Sequence, residues 1–256
     1  MNTGSTPRHA LVTGGGTGIG AAVAQRLAAN GMNVTVLGRG RAKLQAVVAR
    51  RPAQLHAVSA DVCDAGQVAA ALADAQARFG AVQVLVNNAG QAESAPFMKM
   101  DMGLWQRMLD VNLTGTMLCT QAVLPGMLAA GWGRVINVAS TAGQLGYAYV
   151  SAYCAAKHGV IGLTRALALE FAARGVTVNA VCPGYTETDI VRQSIERIVA
   201  KTGRSAQQAR AEFVKSNPQG RLVQPDEVAD AVAWLAGEGA GAVNGQSVSV
   251  SGGEVM

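Results

Sequence analysis

Short apolar runs alternate with amphipathic stretches along the whole chain. Residues 10–13 are apolar and lead into a glycine cluster. Residues 19–30 then carry helical spacing and stop at Gly31. Residues 33–37 predict a strand, 41–50 a helix, 55–58 a short strand, and 65–79 a helix ended by Gly80. Residues 82–86 form a strand whose only polar member is Gln83. A long helical stretch covers 102–129. Pro125 lies inside it and predicts a kink or break, because proline lacks an N–H and crowds the preceding turn. Residues 134–138 predict another strand. Val160, Leu163, Leu167 and Phe171 share one face, so 151–174 reads as a helix ended by Gly175. Residues 176–180 predict a strand, and 185–217 are polar and helical, without a strand. Residues 225–236 predict a helix with Asp226 and Glu227 in its first turn, where the helix dipole favours acids. Residues 247–250 close the series.

Strands alternating with helices predict an α/β fold, a parallel sheet covered on both faces. No linker, repeat or low-complexity segment divides residues 1–256, so one domain is expected. That length is ample for a large core.

Half of the residues are hydrophobic and the formal charge is +5. Aromatics make up only 4%, which argues against the basic stripe with stacking platforms of a nucleic-acid binder. Cys63, Cys119, Cys154 and Cys182 have no metal-ligand or redox-motif spacing. They read as reduced thiols of a cytoplasmic protein. The polar first seven residues lack the apolar core of a signal peptide. No apolar run is expected to span a bilayer.

The first strand runs into Thr13-Gly14-Gly15-Gly16-Thr17-Gly18-Ile19-Gly20, and a helix follows. Glycines here let backbone N–H groups approach a pyrophosphate that faces the helix N-terminus. A tight turn alone would also account for them. About twenty residues on, the second strand ends at Leu37-Gly38-Arg39. An acidic residue there would suit NAD; Arg39, a planar donor fork, suits the extra 2′-phosphate of NADP. Arg41 and Lys43 lie close by. The plainer reading is a solvated basic helix start.

Tyr153-Cys154-Ala155-Ala156-Lys157 opens a helix with phenol and ammonium on one face. The cation is expected to favour the phenolate and lower the tyrosine pKa, making an acid/base for an alcohol oxygen. Ser140 ends a strand thirteen residues earlier, and its hydroxyl suits the same oxygen. Asn87-Asn88-Ala89-Gly90 follows the fourth strand, where cofactors sit in such sheets. Asn112 interrupts an apolar helix. It is either a satisfied buried amide or the anchor of a water beside Lys157.

Together, in this order, these residues resemble the short-chain dehydrogenase/reductase family over essentially the whole chain. The resemblance rests on 13–20, Asp61-Val62, 87–90, Asn112, Ser140, Tyr153/Lys157 and Pro183-Gly184. It implies a seven-stranded parallel Rossmann sheet of order 3-2-1-4-5-6-7. It implies Tyr153 as acid/base, Lys157 as ribose contact and pKa modulator, Ser140 as carbonyl polariser and Asn112 as holder of a relay water. Gly14, Gly16, Thr17, Gly18, Ile19 and Gly20 would cradle the pyrophosphate. Asp61 and Val62 would flank the adenine. Asn88, Ala89 and Gly90 would border the cofactor, and Pro183, Gly184 and Thr188 would position the nicotinamide. The family usually forms tetramers or dimers through the helices near 102–129 and 151–174. One departure is Ser251, where many relatives have Asp; it is expected to touch the C-terminal interface more than the chemistry.

The segment 185–219 is expected to be a helical substrate lid. Its Arg192, Arg197, Lys201, Arg204, Arg210 and Lys215 suit the phosphates of coenzyme A or an acyl carrier, or else form a solvated pair of mixed-charge helices. Residues 151–159, 181–188 and 220–225 look like bacterial β-ketoacyl and polyketide ketoreductases, whereas 200–213 also look like 3-hydroxybutyrate dehydrogenases. The latter generally prefer NAD(H), which remains open here, but Arg39 favours NADP(H). The reading is an NADP(H)-dependent oxidoreductase of ketones and secondary alcohols, with a β-keto thioester or similar ketone as substrate. Its rival is a dinucleotide-sensing binding protein that keeps the fold without catalysis.

Overall fold

The first strand, β1 (His9–Thr13), is buried at every position, as a central strand between two helical layers must be. Its side chains alternate. Ala10 and Val12 join one core with Val23, Leu27, Val232 and Leu235. Leu11 joins the other with Val68, Cys119, Val123 and Met127. This period of two builds both layers from one strand.

The computed structural model describes residues 7–256; most of the polar N-terminal segment read above, residues 1–6, lies outside the described residues. With β1, the strands β2 (Asn33–Gly38), β3 (Leu55–Ser59), β4 (Val82–Asn87), β5 (Gly133–Val138), β6 (Val176–Pro183) and β7 (Ser247–Val250) form one sheet. All neighbours are parallel, in the order β3-β2-β1-β4-β5-β6-β7. This is the expected Rossmann arrangement. β6 runs three residues past its expected end because Val181 and Pro183 pair with Val248 and Val250 of β7.

On one face lie α1 (Gly18–Ala29), α2 (Arg41–Val48) and α9 (Pro225–Leu235), whose buried side chains share a core. α9 starts with proline and a capping box between Gln224 and Glu227. The other face carries α3 (Ala65–Phe79), α4 (Met102–Leu109), α5 (Gly115–Ala130) and α6 (Ser151–Phe171). α3 is capped by the Asp64 carboxylate, which accepts from the Gln67 N–H, and ends at Gly80.

The break expected at Pro125 is absent: α5 continues through it to Gly131. Pro125 and Gln121, whose carbonyl loses its partner, are both exposed, so water can satisfy that carbonyl. The ladder opens instead at residues 110–114, a π-helical turn between α4 and α5. There the Asn112 amide donates to the Met108 carbonyl at 2.9 Å. Side-chain insertion of this kind is a recognised cause of such turns. The expectation about apolar length also needs correction. Met102–Ala130 is long and apolar enough to cross a membrane. Yet Cys119, Val123 and Met127 are buried against the sheet, as in a core helix.

α7 (Asp189–Thr202) and α8 (Ala206–Val214) surround a small core of Val191, Ile195, Ala209 and Leu222. A single parallel bridge between Thr186 and Val223 ties this segment back to the body.

Candidate active site

Strand register brings the site together. Val12 pairs with Val86, Asn87 with Asn137, and Val138 with Val181. The carboxyl ends of β1, β4, β5 and β6 therefore stand at one level. Gly14, Asn88, Ser140 and Pro183 emerge there side by side. Ligands bind at this edge of open α/β sheets, and here it forms the floor of a cavity of about 800 Å³.

The glycine loop lines one end of that cavity. Gly14 and Gly18 have φ of 63° and 52°, a region that L side chains rarely adopt. The Thr13 hydroxyl accepts from the N–H groups of Asn88 and Ala89 at 2.9 Å each. The Asn88 amide donates to the carbonyls of Thr13 and Gly14. These four bonds lock the β1 and β4 loops together. α1 has no side-chain cap and no acid in its first turn, so its N-terminal N–H groups and dipole remain for a phosphate. The cradle fits a dinucleotide pyrophosphate.

Gly14, Thr17, Gly18, Ile19, Asn88, Ala89 and Gly90 line the cavity, as do Asn112, Ser140, Tyr153, Lys157, Pro183, Gly184 and Thr188. Five expected residues stand off its wall. A Cβ on Gly20 would lie 2.3 Å from the Gly14 carbonyl oxygen, so Gly20 serves close packing of helix on loop. Gly16 backs onto Lys43, 3.3 Å from Lys43 Cβ by the same construction. Lys43 is thus a second cation beside the loop, where sequence reading had Arg39 foremost. Arg39 is 74% exposed at the end of β2, and Asp61 approaches it only to 4.0 Å. Val62 is buried against Gly115.

Lys157 is 5% exposed. Its ammonium donates to the Val138 carbonyl at 2.9 Å and lies 5.7 Å from the Tyr153 ring centroid. Burial pushes its pKa down to about 8, against a smaller opposing effect from Cys182. The expected depression of the Tyr153 pKa is not what the geometry gives. Burial pushes that phenol up to about 12, with the Ser140 hydroxyl acting in the opposite direction. The shared helix face brings the two side chains together, but the ammonium reaches past the ring to β5, and desolvation outweighs attraction.

Asn112 is fully buried and is a satisfied amide. Its nitrogen donates to the Gln91 and Met108 carbonyls at 2.9 Å, and its Oδ1 accepts from the Gln91 N–H at 3.3 Å. One acceptor position on Oδ1 stays open. Gly90 lies between it and Lys157: a Cβ there would be 2.7 Å from Asn112 Oδ1 and 3.7 Å from Lys157 Nζ.

All four tyrosines of the chain, Tyr147, Tyr149, Tyr153 and Tyr185, line this cavity. Sequence reading singled out one. The clustering of a scarce residue type was the available signal. The Tyr147 hydroxyl donates to Glu254 at 2.7 Å, bringing the C-terminal tail to the wall. Ser251 packs 3.3 Å from the place of a Cβ on Gly184. Its hydroxyl accepts from the Val255 N–H at 3.3 Å. Ser251 therefore packs behind Gly184, a residue of the cavity wall.

A phosphate cradle facing a phenol and a buried ammonium across one cavity equips a protein for nicotinamide-dependent oxidation and reduction. The family model for short chain dehydrogenase matches residues 8–198, and the chain belongs to that family. It is 41% identical to a 3-oxoacyl-[acyl-carrier-protein] reductase of Synechocystis over 260 aligned positions, 99% of each chain. It is 40% identical to a D-beta-hydroxybutyrate dehydrogenase of Cupriavidus necator, over 97% of this chain and 98% of that one. Among solved structures, a substituted actinorhodin polyketide ketoreductase with NADPH matches with a TM-score of 0.93 at 40% identity, covering 97% of each chain.

Proposed function

We propose that this oxidoreductase reduces a β-keto thioester or a similar ketone with NADPH. The observation that carries the reading is a single cavity wall shared by the glycine loop, Ser140, Tyr153 and Lys157. Similarity to a 3-oxoacyl-[acyl-carrier-protein] reductase and to a ketoreductase structure with NADPH supports the substrate class and the cofactor. Exposed Arg39, only loosely paired with Asp61, supports recognition of the 2′-phosphate.

The glycine loop would hold NADPH, which would supply the hydride. Tyr153 is protonated at neutral pH because burial holds its phenol near 12. It gives its proton to the carbonyl oxygen as negative charge develops there. Ser140 donates a second hydrogen bond to that oxygen. Lys157, charged below about pH 8, holds the ribose hydroxyls and the proton path behind Tyr153. Asn112 offers its open acceptor position to a relay water. A protonated phenol suits reduction, where the first need is an acid. Asp61 and Val62 would flank the adenine, and Pro183, Gly184 and Thr188 would seat the nicotinamide.

In this reading residues 185–219 form the substrate lid. The protein is a homodimer or homotetramer joined through α5 and α6, where Met117 and Leu169 are exposed. Its four free cysteines suit the reducing cytoplasm. A second reading, oxidation of a 3-hydroxybutyrate-type alcohol, is favoured by similarity to the Cupriavidus enzyme.

The test follows the loss of NADPH absorbance with acetoacetyl-CoA, beside NADH and a panel of free ketones. Turnover with the thioester and NADPH is expected. Activity confined to NADH, or to free 3-hydroxybutyrate in the oxidative direction, overturns the reading in favour of the second.

A further inference from the structure

Six basic side chains are carried by α7, α8 and the segments beside them; three are in ion pairs, and the Arg197 Nε–H donates to the Gln193 carbonyl at 3.2 Å. Arg192 pairs with Asp189, Arg210 with Glu187, and Arg204 with Glu212 at 3.3 Å. Lys215 stands off the cavity. Arg197 and Lys201 both line it, and among the described residues neither has a carboxylate within 4.0 Å. They share a face of α7 with Ile190 and Ser194, at spacings of four, three and four residues. The acids on the same wall do not neutralise them. Glu93 is held by Arg107 at 3.3 Å, and Asp189 is held by Arg192. Glu196, also on α7, is not part of the wall.

Their place along the cavity narrows the ligand. α7 begins at the dinucleotide loop: Thr188 Cγ2 is 3.1 Å from where a Cβ on Gly18 would sit. At 1.5 Å per residue, Arg197 lies about 12 Å and Lys201 about 18 Å down the helix axis from Asp189. Aromatic side chains line the same cavity. Tyr185 lies near Tyr153, and its ring meets Phe213 edge-on at 5.0 Å. Phe213 and Ile198 pack on the same small core. Tyr153, Tyr185, Phe213, Ile198, Arg197 and Lys201 all line this one cavity, so a long substrate can touch the acid/base, apolar side chains and both cations at once. A carboxylate two bonds from the reacting ketone is too short for that. A pantetheine arm ending in phosphate has the length and the terminal anion, and its methylene and gem-dimethyl groups suit the apolar side chains beside its amides.

We propose that Arg197 and Lys201 form the rim that binds the phosphate of a pantetheine-borne β-keto thioester, and so select thioesters over free keto acids. This rests on the reduction proposed above and adds its specificity determinant. The shared chemistry is the phosphate at the end of the pantetheine arm, found both in coenzyme A and on carrier proteins.

The experiment compares the unaltered protein with the double variant Arg197→Glu/Lys201→Glu. The probes are acetoacetyl-CoA, acetoacetyl-phosphopantetheine, acetoacetyl-pantetheine without phosphate, and acetoacetate, each with saturating NADPH. Removing two exposed charge contacts, each worth up to about fivefold, and adding repulsion is expected to raise KM for both phosphorylated probes by about tenfold or more. The KM of unphosphorylated acetoacetyl-pantetheine is expected to rise at least fivefold less than theirs. High salt narrows the gap in the unaltered protein, and Arg197→Lys restores most of the affinity. A larger effect on acetoacetyl-CoA than on acetoacetyl-phosphopantetheine assigns the rim to further phosphates of coenzyme A and overturns the arm-phosphate assignment. Equal KM shifts with and without phosphate, or a larger shift for acetoacetate, overturn the proposal alone. An unaltered protein that reduces none of the thioesters overturns the parent reading, and the rim falls with it.

Discussion

The Lys157 ammonium donates to the Val138 carbonyl at 2.9 Å, which anchors the helix carrying Tyr153 to the end of β5. The bond keeps a charge in a nearly dry place, and desolvation lowers the lysine pKa to about 8. Protonated Lys157 carries three hydrogens, one donated to Val138 and two that in the proposed reading serve the ribose hydroxyls. The active form therefore prevails below about pH 8 and is lost above it. The kcat/KM for NADPH reports groups of the free enzyme. It is expected to be flat towards neutral pH and to fall as pH rises through about 8. A profile level to pH 10 would show that Lys157 stays charged and that its burial does not control activity.

In the proposed reading Tyr153→Phe removes the proton donor and leaves the ring. General acid–base catalysis contributes roughly 10²- to 10⁴-fold, so kcat is expected to fall by that order. NADPH affinity, read by nucleotide fluorescence titration, is expected to stay within a few-fold. Near-normal turnover would falsify the role of Tyr153.

What could be read in the sequence were the features set by local spacing. The strand–glycine–helix run at 13–20, the four-residue step from Tyr153 to Lys157 and the apolar strands needed no knowledge of tertiary contacts. The π turn was not legible. The proline rule pointed at Pro125, while the cause of the break is the Asn112 side chain, 13 residues earlier, bonded to Met108 and Gln91. The hydrogen bond from Tyr147 to Glu254 joins segments more than 100 residues apart in the chain, and no periodicity signals it. The tyrosine pKa was misjudged for a related reason. Spacing gives the face of a helix, but which groups water can reach is a property of the packed structure.

In the proposed reading Arg39 discriminates between the cofactors. Arg39→Ala is expected to weaken NADPH binding and leave NADH little changed. A charge-assisted hydrogen bond contributes roughly 1.5–3 kcal/mol, but at 74% exposure solvent screening reduces this to about 1 kcal/mol, a several-fold effect. Dissociation constants for the two cofactors, measured by calorimetry on both proteins, give the ratio. Equal losses for both would remove Arg39 from phosphate recognition and leave Lys43, which backs Gly16, as the cation to test next.

Gly20 separates a packing role from a binding role within the glycine loop. It lies in α1, so its backbone needs no special φ. The constraint is space. A Cβ there would lie 2.3 Å from the Gly14 carbonyl oxygen and 2.4 Å from the Asn88 amide nitrogen. Both contacts fall on the bonds that tie the β1 loop to the β4 loop. Gly20→Ala must push α1 away from the loop or break the Asn88–Gly14 bond, and overpacking of this kind costs about 1–3 kcal/mol. The expected result is a lower urea midpoint together with a loss of NADPH affinity, since the N–H groups of the loop leave their common aim. Gly126, in the middle of α5, has no atom within 4 Å of the equivalent position, and Gly126→Ala is the control. It is expected to hold or raise stability by helix propensity, up to about 1 kcal/mol, with cofactor affinity unchanged. If Gly20→Ala melts like the control and binds NADPH normally, the loop is not held at the spacing seen here, and its fit to a pyrophosphate loses its main structural support.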